Sequence, residues 1–129
     1  MSSFFQPAAE PCPPCDEVQH PNDVFGRLLR ACEYLPAVRC AVVHPCDQDS
    51  LGGAMEAAKL GLIEPVLVGP QARIHAVAKA GGWDVSPWRI VDTEHSHAAA
   101  DKAVAMARAG EVQGLMKGSL HTDELMAAV

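Results

Sequence analysis

From residue 21 onward the apolar residues switch repeatedly between two spacings. In "PNDVFGRLLRACEYL", Val24, Leu28, Leu29, Cys32 and Leu35 recur at helical spacing, with Asn22 or Asp23 placed as N-cap. "RCAVVHP" (39–45) is a short apolar run closed by proline, the pattern of a buried parallel strand. "DSLGGAMEAAKLGL" (49–62) returns to the helical period. It opens on an Asp/Ser cap, and Gly61 stands where a helix end favours a left-handed residue. "EPVLVG" (64–69) reads as a second strand. "PQARIHAVAKAGG" (70–82) reads as a helix with Pro70 at its first position and glycines at its end. "WRIVD" (88–92) is a third strand. "SHAAADKAVAMARAG" (96–110) is an Ala-rich helix ending in glycine. "VQGLMKG" (112–118) is a fourth strand, and "TDELMAAV" begins a last helix with Thr122 as candidate cap.

The predicted order is αβαβαβαβα. Strands alternating with helices of this length imply βαβ units, hence an α/β fold with a mostly parallel sheet between two helical layers. The crossovers are expected to be right-handed. Residues 1–20 differ: they are Pro-rich, carry neither period, and read as a flexible tail or linker. Within them Cys12 and Cys15 form a Cys-x-x-Cys pair. No second pair follows at zinc-finger spacing, so the pair reads as an incidental linker feature, with a metal or redox role as the minor alternative.

Composition narrows the picture. Of the 129 residues 49% are hydrophobic but only 5% aromatic, so the core must be built from aliphatic side chains and methionine. The formal net charge of -6 argues against a nucleic-acid partner or a polybasic membrane anchor. No apolar run reaches the roughly 18 to 20 residues of a membrane span, and no signal segment opens the chain. The expected location is cytoplasmic. Five cysteines, an odd number, do not suggest a disulfide framework in such a chain.

In an open parallel sheet, ligands bind beyond the carboxyl ends of the strands. The loops there carry His44, Cys46 and Asp47 after the first strand; Gly69 and Pro70 after the second; Asp92, Thr93, His95 and His97 after the third; and Lys117, Gly118, Ser119, His121 and Thr122 after the fourth. The last loop is the best anion site. Gly118 permits close backbone approach, Ser119 and Thr122 offer hydroxyls, Lys117 a point charge, and the next helix its N-terminal N–H groups. A plain helix cap over 119–123 is an equal reading. His95-x-His97 reads as one surface residue and one that packs or caps, with metal binding as the minor alternative. Cys46 between His44 and Asp47 invites a nucleophile, but no sequence feature activates the thiol. Neither a Gly-x-Gly-x-x-Gly turn nor a P-loop is present, which disfavours a dinucleotide or ATP site.

Two stretches, "AVVHPCDQDSLGGAMEAAKLGLIEPVLVGP" and "HSHAAADKAVAMARAGEVQGLMKGSLHTDELMAAV", resemble the phosphate acetyltransferase/phosphate butyryltransferase family over about three quarters of the chain. The likeness is nearest to the transacylase half of proteins that carry an enoyl-CoA hydratase domain ahead of it. The resemblance implies reversible acyl transfer, acetyl or butyryl, between CoA and inorganic phosphate. It implies two α/β domains of the isocitrate/isopropylmalate dehydrogenase-like type with the site in their cleft, a homodimer in many members, and CoA and phosphate as substrates with no cofactor or metal.

The family's Gly-x-x-His-Thr loop falls on Gly118, Ser119, His121 and Thr122, with Lys117 beside it, and His44 and Asp47 match its first-strand loop. The first five are expected on the phosphate side of the cleft, and His44 and Asp47 are expected to face the same cleft as substrate-binding residues. The family's other key Ser, Arg and Asp fall beyond residue 129. Residues 21–129 are therefore expected to be the N-terminal part of a truncated acyltransferase domain that needs a complementing C-terminal half, with its catalytic residues unassigned. The alternative is a non-catalytic phosphate- or CoA-binding module, or an inactive remnant of the family.

Overall fold

A computed structural model describes residues 23–129; the tail over 1–20, with Cys12 and Cys15, lies outside the described residues. The chain divides into two units, Met1–Leu35 and Pro36–Val129, each taken by itself. In the first, α1 (Val24–Cys32) starts at Asp23, whose carboxylate accepts from Gly26 N at 2.8 Å. Of the two expected caps it is Asp23 that serves. Arg30 in the last turn complements the negative end of the helix dipole.

The second unit alternates strand and helix as the periodicity predicts: β1 (Val38–Val43), α2 (Gln48–Lys59), β2 (Ile63–Gly69), α3 (Gln71–Gly81), β3 (Arg89–Asp92), α4 (Ser96–Arg108), β4 (Gly114–Lys117) and α5 (Thr122–Ala128). All strand pairs are parallel, in the order β3-β2-β1-β4. Val43 at the end of β1 pairs with Val68 on one side and with Lys117 on the other.

Alternation of side chains along β1 and β2 divides the core in two. Ala41, Val43, Val66 and Val68 face α4, where Ala99, Ala100 and Ala103 let the helix settle close to the sheet; Leu125 and Ala128 of α5 pack on the same side. Val42 and Leu67 face the other way, against Leu51, Ala54 and Met55 of α2 and Ile74 and Ala78 of α3. The result is the expected αβα sandwich with an aliphatic core. Leu51, Leu67 and Ile74 are fully buried, each stabilising the fold by about 1.5–3 kcal/mol relative to exposure.

Several boundaries move, each for a local reason. α2 is capped two residues earlier than expected, by Asp47, whose carboxylate accepts from Ser50 N at 2.7 Å. Pro70 stands just before α3 as its N-cap rather than inside it, and the first N–H of that helix, Gln71 N, is met by the Asp92 carboxylate at 2.9 Å. Thr122 is the first residue of α5, not its cap; His121 holds that place, and the Glu124 carboxylate accepts from His121 N at 3.1 Å. β1 ends at Val43 because His44 turns into the left-handed region at φ 55°. Gly61 is left-handed at φ 74°, as a helix end at that position requires.

Candidate functional site

The strand order fixes where a ligand belongs. From β1 the chain builds outward through β2 to β3, then returns to add β4 on the opposite side of β1. The order therefore reverses between β1 and β4, and these two strands lead into helices on opposite faces of the sheet, α2 and α5. A crevice opens at such a switch point in an open α/β sheet. Here it is a pocket of about 430 Å³ lined by His44 and Asp47 from the β1 loop, Lys117, Gly118, Ser119, Leu120 and His121 from the β4 loop, Ser96 from the start of α4, and Glu124 from α5. Six of the seven residues expected at the site are brought together there. Thr122 is not in the lining.

Their roles differ from those expected. The role expected of Gly118 is to leave room for a ligand. The close neighbour is instead backbone: a Cβ at Gly118 would lie 2.5 Å from the His44 carbonyl oxygen and nearer still to that of Val43. Gly118 N–H donates to Val43 O at 2.9 Å, which holds the two loops edge to edge.

Ser119 is likewise engaged. Its hydroxyl donates to His44 O at 2.9 Å and accepts from Cys46 N at 3.2 Å, while its backbone N–H donates to His44 O at 2.9 Å. It clasps the β1 loop instead of reaching into the pocket as a free ligand. Asp47 lines the pocket but caps α2. Its carboxyl is held below the usual carboxylate range by its hydrogen bonds with Ser50, reinforced by Lys117 and His44 nearby.

His44 is the one buried polar side chain of the described core, 6% exposed. Its Nδ1 stands 3.0 Å from the Ser119 carbonyl oxygen, with the Ser119 hydroxyl at 3.2 Å. A carbonyl oxygen only accepts, so Nδ1 carries the hydrogen, and in the neutral ring the lone pair lies on Nε2. Among the described residues no group bonds Nε2. It is not a sealed orphan either, since Thr93 Oγ1 is the only buried unpartnered side-chain nitrogen or oxygen among the described residues. Nε2 therefore keeps contact with solvent, and His44 lines the pocket. The strained backbone of a non-glycine residue at φ 55° is held by this network, with His44 N–H donating to Val68 O at 2.7 Å.

The charges are mixed. Lys117 is exposed, its Nζ only 3.4 Å from its own loop's Gly118 carbonyl. Glu124, which the sequence reading did not single out, gathers three neighbours: Ser96 Oγ at 3.2 Å, His121 N at 3.1 Å and His97 Nε2 at 3.1 Å. Glu124 stands three residues after His121 at a helix start, so capping-box spacing was the signal for it. The Glu124 carboxylate thus meets the N–H of His121, just before α5, and sets a negative charge at the start of that helix. His95 and His97 divide as expected: His95 Nδ1 caps α4 by accepting from Ala98 N at 3.1 Å, and His97 is exposed. Cys46 is buried, and burial pushes its thiol up, against a nucleophilic role. Among the described residues no group of three or more His, Cys, Asp or Glu could hold a metal ion.

A phosphate acetyltransferase of Rickettsia felis is 54% identical over 102 residues, covering 79% of this chain and 29% of its own length. That of Rhizobium meliloti is 53% identical over 105 residues, covering 81% of this chain and 33% of its own length. Over this stretch the chain is a homologue of phosphate acetyltransferases. A phosphate butyryltransferase of Clostridium beijerinckii is more distant, 30% identical over 105 residues, covering 81% of this chain and 35% of its own length. The chain thus spans about a third of the length of these curated relatives. No protein-family model matches the chain.

Solved phosphotransacylases share the fold. A phosphotransacetylase from Staphylococcus aureus superposes with a TM-score of 0.61 at 15% identity, over 75% of this chain and 38% of that one. A branched-chain phosphotransacylase from Enterococcus faecalis gives 0.54 at 17% identity, over 70% of this chain and 32% of that one. Within the family fold, the described unit of this acyltransferase homologue carries the β1–β4 crevice. Among the described residues no helix is long and apolar enough to cross a membrane.

Proposed function

We propose that the chain supplies one wall of the site in a cytoplasmic phosphate acyltransferase, which moves an acyl group between CoA and inorganic phosphate. The observation that carries this reading is the switch-point crevice holding Lys117 and His44, in a chain half identical to named phosphate acetyltransferases. In the direction of thioester formation, the CoA sulfur attacks the acyl phosphate carbonyl carbon. The thiol proton leaves, the bond from that carbon to the bridging oxygen breaks, and phosphate departs with the electron pair. The growing negative charge on the carbonyl oxygen and on the leaving phosphate calls for cations and fixed donors. Lys117, exposed at the mouth of the crevice, is the cation suited to the phosphate, and the clasp between Ser119 and His44 keeps both loops in place. The chemistry as written draws on CoA and phosphate as substrates and on no cofactor.

Acetyl is favoured over butyryl as the acyl group, because the acetyltransferases are the nearer of the relatives described. A span of about a third of a relative's length favours a second contribution to the site, from a complementing C-terminal half or a second copy of the chain. The same span keeps a phosphate- or CoA-binding module as the second reading. Thioester formation from CoA with acetyl phosphate, and separately with butyryl phosphate, separates the two. Turnover by the chain, alone or with a complementing half, supports the acyltransferase. Binding of either substrate with no turnover in any combination leaves the binding module.

A further inference from the structure

His44 combines three features that a packing residue does not need together. It is buried, its backbone is held in a left-handed conformation, and one ring nitrogen is fixed on a carbonyl while the other is bonded by no described group, in a residue that lines the crevice. The groups around it come from every neighbouring element. Asp47 precedes α2, Lys117 and His121 lie on the β4 loop, Glu124 is on α5 with His97 of α4 at 3.1 Å from it, and Arg73 of α3 is near enough to act on the Cys46 thiol. With the imidazoles neutral, one lysine faces two carboxylates in the lining, so the crevice is not by itself a cationic hole. A doubly charged tetrahedral anion entering it needs a further positive charge at short range.

We infer that His44 Nε2 is a proton-coupled anion ligand: the ring takes up a proton as a tetrahedral anion binds, and Nε2–H donates to an anion oxygen. The geometry permits this without rearrangement. Nδ1 keeps its hydrogen and its bond to the Ser119 carbonyl in both protonation states, so only Nε2 changes from acceptor to donor. This deepens the phosphate side of the proposed function and rests on that reading for the natural ligand. The proton coupling stands or falls separately.

Sulfate is the probe, because it remains a dianion across the range in which histidine titrates, about pH 5 to 8; any proton taken up then belongs to the protein. Calorimetry of sulfate binding to the full chain, in two buffers of different ionisation enthalpy, reads the proton count. The expected result is net uptake approaching one proton, with affinity falling by up to about tenfold per pH unit as pH rises.

His44→Asn is the informative substitution. Asparagine tolerates a left-handed backbone, and its amide N–H reaches where Nδ1 sits, so the bond to Ser119 is kept while Nε2 is lost. His44→Asn is expected to abolish the uptake and the pH dependence, and His75→Asn, on α3 outside the crevice lining, to keep both. The ¹⁵N shift of His44 Nε2 in the unsubstituted chain, followed with and without sulfate, reports the same protonation with no substitution. No sulfate binding, binding without proton uptake, or uptake that survives in His44→Asn each overturns the inference. Proton-coupled sulfate binding by a protein that never forms thioester sustains it and removes the acyltransferase reading instead.

Discussion

The Ser119 hydroxyl donates to the His44 carbonyl oxygen across 2.9 Å and accepts from Cys46 N–H at 3.2 Å, so one side chain after β4 locks the loop after β1. The same carbonyl accepts from Cys46 N at 2.8 Å and from Ser119 N at 2.9 Å. The strained φ of His44 persists because several bonds determine it together.

Ser119→Ala is expected to lower stability by about 1–3 kcal/mol, the range for deleting one member of a part-buried polar network. Chemical denaturation measures it. Ser119→Thr keeps the hydroxyl and should recover much of the loss. If the alanine variant unfolds at the wild-type midpoint, the clasp does not hold the loops.

Gly118→Ala separates two explanations of one glycine. If the residue is there for a ligand, alanine should weaken binding and leave the fold alone. The geometry says the opposite, since the added Cβ meets the backbone of Val43 and His44. A loss of about 1–3 kcal/mol, typical of overpacking, is expected without any ligand present. A normal melting temperature with impaired anion binding would restore the ligand explanation.

The periodicity made the fold legible because each strand is a short apolar run and each helix carries its own stop. Gly61, left-handed after α2, and Gly82, left-handed after α3, are local signals that need no tertiary context. The crevice was legible as a place on the sheet, and the pairings within it were not. Reading the carboxyl ends of the strands brought His44, Asp47, Lys117, Gly118, Ser119 and His121 to one crevice. Which groups remain free depends on pairings across long sequence separations, such as Ser119 with His44, and no local pattern encodes these. Thr122 shows the reverse error: a residue type that favours caps stands one place too late, because Glu124 reaches back to His121 N.

Asp47 gives a prediction in pH. Its folded carboxyl is held below the ordinary value, chiefly by the hydrogen bonds with Ser50. A depressed folded value means the stabilisation is present above the unfolded value, about 3.9. It is lost as pH falls through the lower, folded one. Asp47→Ala should therefore cost about 1 kcal/mol near neutrality, the usual value of an N-cap, and much less in strong acid. Asp47→Asn, which retains a capping oxygen, should lie close to wild type. Urea midpoints at neutral and acid pH test this, and a penalty that does not shrink in acid would count against it.

Lys117 and Glu124 pull in opposite directions on any anion in the crevice. Lys117 is exposed at the end of β4, bonded only weakly to its own loop, so its removal leaves the core untouched. Lys117→Ala should weaken sulfate or phosphate binding about tenfold or more, the loss of a charge-assisted hydrogen bond, with little change in stability. Glu124→Gln removes a negative charge from the lining and should strengthen the same binding about two- to fivefold, the scale of a solvent-screened charge. It should also loosen the start of α5, because a single amide oxygen replaces the two carboxylate oxygens that serve Ser96, His97 and His121. Titration calorimetry beside thermal melts separates these effects. Lys117→Ala should lose affinity without stability, and Glu124→Gln should gain affinity while losing stability. If both substitutions leave anion affinity unchanged, the anion does not occupy the crevice between β1 and β4.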